Sequence, residues 1–251
     1  MQAQAGSSHT APVTLYTAGT PNGWKASVAL EELGIQYSVR PIELGKNQQK
    51  EDWFLKINPN GRIPAIVDHE AGDLAVWESG AVLLYLAEQK DPERRLLPTD
   101  TAKRIEVLSW LFWQVGGLGP MQGQADWWVL FAPDTDEFAI ERYRNETKRL
   151  FGVMDSRLEG REWLAADQFT IADIACFTWV VFHDILAVPL AKDYPNLRAW
   201  VDRIKARDAV RRGLNVPAAN PVLSHNEDWN RYLAKAAQRL KDANPTEVAE
   251  E

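Results

Sequence analysis

The hydrophobic pattern changes near residue 90, and this change limits the fold more than any other feature of the chain. Before it, short apolar runs that predict strands alternate with helical segments. We predict strands over 13–16, 37–44, 65–68 and 74–77, and helices over 23–33, 50–57 and 79–89. The order βαβ, helix, ββα predicts an α/β domain with a small mixed sheet and helices on its faces.

Beyond residue 101 the pattern is helical. Apolar residues recur every three to four positions over 102–115 and over about 136–158, another helix begins near Pro195, and 227–241 carries one apolar stripe. The segment Gly116-Gly117-Leu118-Gly119-Pro120 should break or bend the first of these helices. We therefore divide the chain into a flexible arm (1–12), an α/β domain (13–90), a linker (91–101), an all-helical domain (102–217) and a C-terminal extension (218–251) with one docked helix and a disordered end.

Charge and composition argue against several classes of partner. The net charge of −7 disfavours nucleic acid, whose phosphates need a basic surface. No apolar run approaches the roughly 20 residues that span a bilayer. The single cysteine excludes an internal disulfide, and the four histidines lack the spacing of metal ligands. We expect a cytoplasmic protein that uses no metal and binds neither nucleic acid nor membrane.

The segment Thr20-Pro21-Asn22-Gly23-Trp24-Lys25 follows the first predicted strand and opens the first predicted helix. It places the side chains of Thr20 and Asn22 beside a helix N-terminus, where free N–H groups and the helix dipole stabilise an anion such as a thiolate. Cys176, the only cysteine, lies far downstream in an apolar segment and is predicted to be buried. A thiolate at this loop would therefore come from a ligand.

Two other segments could join this loop. Pro64 opens the third predicted strand and is a candidate for a cis peptide bond, which would turn the backbone of Ile63 toward a neighbouring peptide. Glu78 and Ser79 stand where a strand becomes a helix, so a carboxylate could meet Ser79 and an ammonium could pair with Glu78. A ligand with an amino acid head, a peptide middle and a thiol tail fits the three segments in order. Glu-Ser before a helix is, by itself, most often a simple N-cap.

Another helix start has a purely structural interpretation. Thr170 and Asp173 have the spacing of a capping box, and Phe169 and Ile174 have the spacing of a hydrophobic staple. We interpret this segment as a folding element with no part in catalysis.

These motifs closely resemble the glutathione transferase superfamily, in particular its nu-class and yeast nitrogen-regulator-like branch. The resemblance covers about 13–216. It rests on Thr20-Pro21-Asn22-Gly23, on Asn58-Pro59-Asn60-Gly61-Arg62-Ile63-Pro64-Ala65-Ile66-Val67-Asp68, on Trp77-Glu78-Ser79-Gly80-Ala81 and on Gly119-Pro120-Met121-Gln122-Gly123-Gln124. It implies a thioredoxin-like N-terminal domain, an all-α C-terminal domain and a homodimer.

The resemblance also implies roles for residues of this chain. The thiol would belong to glutathione, with Asn22 beside its sulfur and Thr20 able to share that role. The other implied glutathione contacts are Ile63 with a cis Pro64 for the peptide backbone, Glu78 and Ser79 for the γ-glutamyl head, Arg62 and Gln49 for the glycyl carboxylate or nearby backbone, and Arg142. Arg142 could equally be a solvated helix charge.

A second substrate would bind between the two domains. Its candidate contacts are Met121, Gln124, Trp127 and Trp128, which could equally pack in the core or in a dimer interface. The resemblance implies a glutathione-dependent transferase or disulfide-bond reductase that activates the glutathione thiol for attack on disulfides, peroxides or small electrophiles. Its partners would be glutathione, oxidised glutathione and the second substrate.

Two other functions stay open. A non-catalytic regulator would bind a protein partner, as the yeast relative does. That relative carries a long Asn/Gln-rich extension, and here only about twelve residues, which form no such tract, precede the first predicted strand. The third hypothesis is a binding or structural protein that uses the fold alone.

Overall fold

The computed structural model describes residues 10–220 and 227–243. Its first part is a four-stranded sheet in the order β2-β1-β3-β4. The strands are β1 (Val13–Thr17), β2 (Tyr37–Pro41), β3 (Ala65–Asp68) and β4 (Leu74–Trp77). β1 pairs parallel with β2 and antiparallel with β3, which pairs antiparallel with β4. The predicted mixed sheet is confirmed, and its topology is thioredoxin-like. Most of the predicted N-terminal arm and the predicted disordered end lie outside the described residues.

Three helices accompany the sheet: α1 (Pro21–Leu33), α2 (Asp52–Leu55) and α3 (Ser79–Gln89). α1 begins two residues earlier than predicted, because Thr20 caps it and the fixed φ of Pro21 suits the first helical position. It ends, as predicted, at Gly34, whose φ is 67°. β2 ends three residues before its predicted end, since the chain turns into a 3₁₀ helix at Leu44.

The rest of the described chain is helical, as predicted. The helices are α4 (Thr101–Trp113), α5 (Gly119–Leu130), α6 (Glu137–Leu158), α7 (Ile171–Val180), α8 (Leu190–Asp193), α9 (Pro195–Lys205), α10 (Asp208–Leu214) and α11 (Glu227–Ala243). α7 starts with the capping box of Thr170 and Asp173 that the sequence predicts. None of the helices in the described ranges is long and apolar enough to cross a membrane.

The Gly-rich segment after α4, where the sequence predicts a break or a bend, interrupts the α-helix without forming a loop. Gln114–Leu118 forms a π-helical turn, and α5 continues directly from it. Pro120 stands in the first turn of α5. Proline has no backbone N–H to donate. Its absence is tolerated there because the wider π turn already interrupts the ordinary i→i−4 hydrogen bonds.

The core runs from the sheet through α1 into the helical part, because α1 packs against α3, α7 and α10. α11 docks on this body as predicted. Its Trp229 is buried and meets Phe182 edge-on at 5.6 Å, and Phe182 stacks on Trp24 of α1 at 5.5 Å. Arg239 also donates hydrogen bonds to the carbonyls of Ala132 and Asp134. The C-terminal helix is therefore an integral part of the fold.

Candidate functional site

A cavity of about 680 Å³ opens between the sheet domain and the helices that follow it. One wall comes from the first turns of α1 and α3 and from the turn before β3. The opposite wall comes from the π turn, α5 and the end of α7. The lining residues are Asn22, Lys25, Arg62, Glu78, Ser79, Gln114, Val115, Gly119, Pro120, Gly123, Gln124, Trp127 and Trp179.

The sheet topology brings the three predicted segments to this place. β4 runs in the same direction as β1, because both pair antiparallel with β3. Tyr16, Ala65 and Trp77 stand side by side across the three strands. The chain therefore leaves β1 toward α1, enters β3 and leaves β4 toward α3 at one edge of the sheet. Two helix N-termini, each with free backbone N–H groups, meet there.

Asn22 lies in the first turn of α1, with its side chain at the cavity. The hydroxyl of Thr20 accepts a hydrogen bond of 3.2 Å from the N–H of Gly23 and so caps the helix. Thr20 does not line the cavity. Gly23 must be a glycine, since a Cβ there would lie 2.2 Å from the carbonyl oxygen of Ala18. The local sequence thus fixes the backbone that carries Asn22.

The orientation of the Asn22 amide follows from its neighbours. The indole Nε1–H of Trp179 donates to Asn22 Oδ1 over 3.2 Å, and the hydroxyl of Ser79 donates to the same oxygen over 3.4 Å. An indole N–H can only donate, so the oxygen end of the amide must face Trp179. The two N–H bonds of Asn22 Nδ2 are left to serve a ligand in the cavity.

Lys25 lies beneath Ser79 and is only 1% exposed. Its ammonium donates to Ser79 Oγ over 3.1 Å and to Gln114 Oε1 over 2.5 Å, so it joins α1, α3 and the π turn. Burial lowers the pKa of Lys25 to about 7. Gln114 is buried as well, and its Nε2 has no hydrogen-bond partner in the part of the chain that the structure describes. The cavity lining therefore holds both a lysine amine and an unsatisfied amide donor.

Glu78 precedes α3 and has a φ of 70° and a ψ of 122°. Such a backbone conformation costs a residue other than glycine about 1–3 kcal/mol, a cost typical of functional positions. The exposed carboxylate of Glu78 accepts a hydrogen bond of 3.4 Å from Asn60. Ser79, the first residue of α3, is buried, and its backbone N–H belongs to the free first turn.

The Ile63–Pro64 peptide bond is cis, as predicted. The turn before it is held by Asn58, which donates from its side chain to the carbonyl of Arg62 over 2.6 Å. The side chain of Arg62 is exposed at the cavity. Gln49 lies behind this turn, next to Gly61. Its backbone oxygen would be 2.9 Å from a Cβ added to Gly61, and its side chain does not line the cavity.

The predicted second-substrate residues divide between the two sides of α5. Gln124 and Trp127 line the cavity. Met121 faces a second cavity of about 720 Å³, which Arg142 of α6 also lines. Trp128 packs against the core, as the alternative interpretation predicted. Met121 therefore lies on the side of α5 toward α6, and Gln124 and Trp127 lie on the side toward the first cavity.

Three residues that line the cavity were not predicted from the sequence: Lys25, Gln114 and Trp179. Lys25 had one usable signal, because it is the only charged residue in the first ten positions of α1. Gln114 and Trp179 carry no local signal. Cys176 is fully buried, as predicted, and burial raises the pKa of its thiol well above the ordinary value. It therefore supplies no thiolate to the cavity.

The cavity combines two kinds of chemistry. One wall offers helix N-termini, the Asn22 amide, the Lys25 ammonium and the Arg62 guanidinium, all of which favour anions or peptide carbonyls. The other wall offers Val115, Pro120 and the indole rings of Trp127 and Trp179. Among the residues described, no cluster of histidine, cysteine and carboxylate side chains could hold a metal ion.

Comparisons with known proteins give a consistent result. The family model described as Glutathione S-transferase, N-terminal domain matches residues 11–88, and the one described as Glutathione S-transferase, C-terminal domain matches residues 118–208. The Disulfide-bond oxidoreductase YfcG of Escherichia coli (strain K12) is 46% identical over 206 residues, which are 80% of this chain and 94% of YfcG.

Two solved structures extend this similarity. A glutathione transferase from Pseudomonas putida, with one glutathione disulfide bound per subunit, is 37% identical at a TM-score of 0.78 and covers 84% of this chain and 94% of its own. Ure2p in complex with glutathione is 30% identical at a TM-score of 0.79 and covers 83% and 95%.

Proposed function

This chain belongs to the glutathione S-transferase family, and from that membership we propose that it is a glutathione-dependent transferase and disulfide-bond reductase. The observation that carries the proposal is the Asn22 amide, whose oxygen is occupied by Trp179 and Ser79 and whose N–H groups are left for the cavity. Glutathione, when bound, supplies a thiolate nucleophile for attack on disulfides, peroxides or small electrophiles.

The γ-glutamyl head of glutathione fits the start of α3. The backbone N–H of Ser79 lies at the positive end of that helix and suits the α-carboxylate. Glu78, exposed at the cavity rim, suits the α-ammonium. The hydroxyl of Ser79 already bonds Lys25 and Asn22, so its part is to hold those two side chains in place.

The peptide middle and the glycyl end fit the turn before β3. The backbone of Ile63, beside the cis bond to Pro64, suits the peptide middle of glutathione, and the exposed Arg62 suits the glycyl carboxylate. Gln49 supports this turn from behind. In this proposal residues 13–90 bind glutathione, and residues 102–217 supply the wall for the second substrate.

The sulfur end fits Asn22, whose Nδ2–H groups would donate to the thiolate and keep it ionised. The same cavity is large enough for a second thiol compound or an apolar electrophile beside Gln124 and Trp127, since ligand cavities commonly measure about 300–1,000 Å³. We therefore include oxidised glutathione and mixed disulfides among the ligands of this cavity.

The proposal includes a homodimer in the cytoplasm. Leu74 and Trp77 on β4, and Ile105 and Phe112 on α4, are large exposed apolar side chains of the kind that partner subunits cover. Sedimentation should show twice the chain mass. The free, buried Cys176 suits a reducing compartment, and cell fractionation tests that location.

The test compares the wild type with Asn22→Ala. We expect glutathione-dependent reduction of 2-hydroxyethyl disulfide by the wild type, weaker conjugation of a chlorinated aromatic, and a loss of about 100-fold in kcat for reduction in Asn22→Ala, the scale of one lost transition-state donor. Asn196→Ala on α9, away from the cavity, is the matched control and should retain full activity. Equal rates in the wild type and Asn22→Ala would refute the proposed contact between Asn22 and the glutathione sulfur. A protein partner bound stoichiometrically, with no turnover of any thiol substrate, would favour a regulator instead.

A further inference from the structure

Lys25 is a buried lysine with no acidic hydrogen-bond partner. The residue is 1% exposed, and its two hydrogen bonds go to the neutral groups of Ser79 and Gln114. No carboxylate in the described ranges forms an ion pair with it. Burying a charged group lowers the stability of a fold unless an opposite charge pairs with it. A charged Lys25 would therefore be stabilised by an anion from outside the fold.

The cavity is where that anion can come from. Lys25 lines the cavity, and an ammonium has three N–H donors, of which Ser79 and Gln114 use two. The ammonium therefore has one donor left for a ligand. Lys25 is also one helical turn from Asn22, on the same helix, and is linked to the amide of Asn22 through the hydroxyl of Ser79.

Two anions of glutathione could meet this cation, the thiolate and the γ-glutamyl carboxylate. In the proposed binding mode the γ-glutamyl carboxylate already accepts hydrogen bonds from the N-terminus of α3. The thiolate belongs beside Asn22, whose hydrogen-bond partners Ser79 and Trp179 are both neutral. We propose that Lys25 is the countercharge of the bound glutathione thiolate, a further catalytic residue of this site. The inference rests on the proposed function.

The charges around Lys25 agree with this role. Burial lowers the pKa of Lys25 to about 7, whereas a negative charge on Cys176 of α7 or on Glu78, which precedes α3, would raise it. The Cys176 thiol is itself held protonated by burial. A thiolate in the cavity would add the missing negative charge and raise the pKa of Lys25. A thiolate in the cavity thus stabilises the protonated form of Lys25, and a protonated Lys25 stabilises the thiolate.

The experiment measures the pKa of bound glutathione from the ultraviolet absorbance of its thiolate as the pH is varied, in wild type, Lys25→Met and Lys25→Gln. Both variants remove the charge, and Gln keeps a donor. We expect the thiol pKa to rise by about 1 in both, a tenfold loss of thiolate at fixed pH. Cys176 adds no signal because its thiol stays protonated. Lys205→Met, which removes a half-buried lysine on α9, is the control and should leave the pKa unchanged.

A second ligand separates the two anions. S-Methylglutathione keeps the carboxylates and lacks the thiol, so its Kd should change by less than about twofold in Lys25→Met. An equal loss of affinity for both ligands would assign Lys25 to the carboxylate and overturn the proposal. Thermal unfolding checks that Lys25→Met is folded at the temperature of the binding measurements, because the substitution leaves the buried Gln114 Oε1 without its donor.

The outcomes also separate this inference from the proposed function. A wild type that binds neither ligand would remove the proposed function and this role with it. A wild type that binds both, with an unchanged thiol pKa in Lys25→Met, would overturn the role of Lys25 alone. A normal thiol pKa in Lys25→Gln beside a raised one in Lys25→Met would show that hydrogen bonding, and not charge, is what the residue supplies, and would also overturn it.

Discussion

Two buried polar clusters in this molecule have the same ingredients and opposite outcomes. Each stands at the start of a helix, and in each an indole N–H donates to a side-chain oxygen. At α7 the indole of Trp200 donates to Asp173 over 2.9 Å. At α1 the indole of Trp179 donates to Asn22 over 3.2 Å. The first cluster is closed inside the protein, whereas the second borders a cavity.

The difference lies in which groups remain unused. Asp173 Oδ1 also accepts from the N–H of Leu164, and Asp173 Oδ2 accepts from the N–H and the hydroxyl of Thr170. A carboxylate has only acceptors, and all of this one face protein donors. The side-chain oxygen of Asn22 also accepts hydrogen bonds from protein donors, but its two N–H donors stay unused. The start of α7 is structural because all the acceptors of its carboxylate are hydrogen-bonded within the protein. The start of α1 can bind a ligand because it keeps N–H donors beside a cavity.

Asp173→Ala should produce the largest effect on stability. The substitution leaves the N–H groups of Leu164 and Thr170 and the indole of Trp200 buried without acceptors, each at about 1–3 kcal/mol, so we expect a loss of about 4 kcal/mol in the free energy of unfolding. Urea denaturation measures it as a lower midpoint. Asp202→Ala, which removes an exposed partner of Arg198, should cost less than about 1 kcal/mol.

The folded fraction of Asp173→Ala should bind glutathione as tightly as the wild type does, because the closed cluster offers nothing to the cavity. A weakened Kd measured well below the unfolding midpoint would break the distinction between the two clusters.

Exchanging each indole for a phenyl ring compares the clusters directly. Trp179→Phe removes one of the two donors that orient Asn22, and we expect kcat for disulfide reduction to fall about fivefold, the scale of one hydrogen bond of about 1 kcal/mol. Trp200→Phe removes the corresponding donor at Asp173 and should lower stability with no change in kcat. If the two substitutions had the same effects on kcat and stability, the orientation of Asn22 by Trp179 would be refuted.

The geometry around Trp179 shows why phenylalanine is the right probe. A Cβ at Gly123 would lie 3.0 Å from the indole ring, and one at Gly119 would lie 3.5 Å from it. The two glycines on one face of α5 thus give Trp179 the room to reach Asn22. A phenyl ring is smaller and meets no new contact there, so lost activity reports the lost N–H.

The sequence was sufficient for features that depend on local pattern. The strand and helix order, the cis bond before Pro64 and the capping box at Thr170 all follow from residues that are neighbours in the chain. The meeting of the first two helix starts with the turn before β3 follows from the order of the elements. The convergence at the cavity edge was therefore predictable without knowledge of any long-range side-chain contact.

The missed residues depend on contacts between distant segments. Trp179 is 157 positions from Asn22, and Gln114 is 89 positions from Lys25. A tryptophan or glutamine inside an amphipathic helix has the same local pattern whether it packs in the core or lines a cavity. The sequence predicts an interruption of the helix at the Gly-rich segment but not its π-helical form, which depends on how the helix packs.

Thr20→Ala should have the smallest effect, and it separates Thr20 from Asn22 at the sulfur. Thr20 caps α1 through its hydroxyl and does not line the cavity. We expect a loss of about 1 kcal/mol in the free energy of unfolding, typical of an N-cap, and a change in kcat of less than about twofold. Thr20→Ser keeps the capping oxygen and should restore the stability. A fall in kcat close to that of Asn22→Ala, restored by serine, would place the hydroxyl of Thr20 at the sulfur, so that the start of α1 would serve the ligand through two side chains.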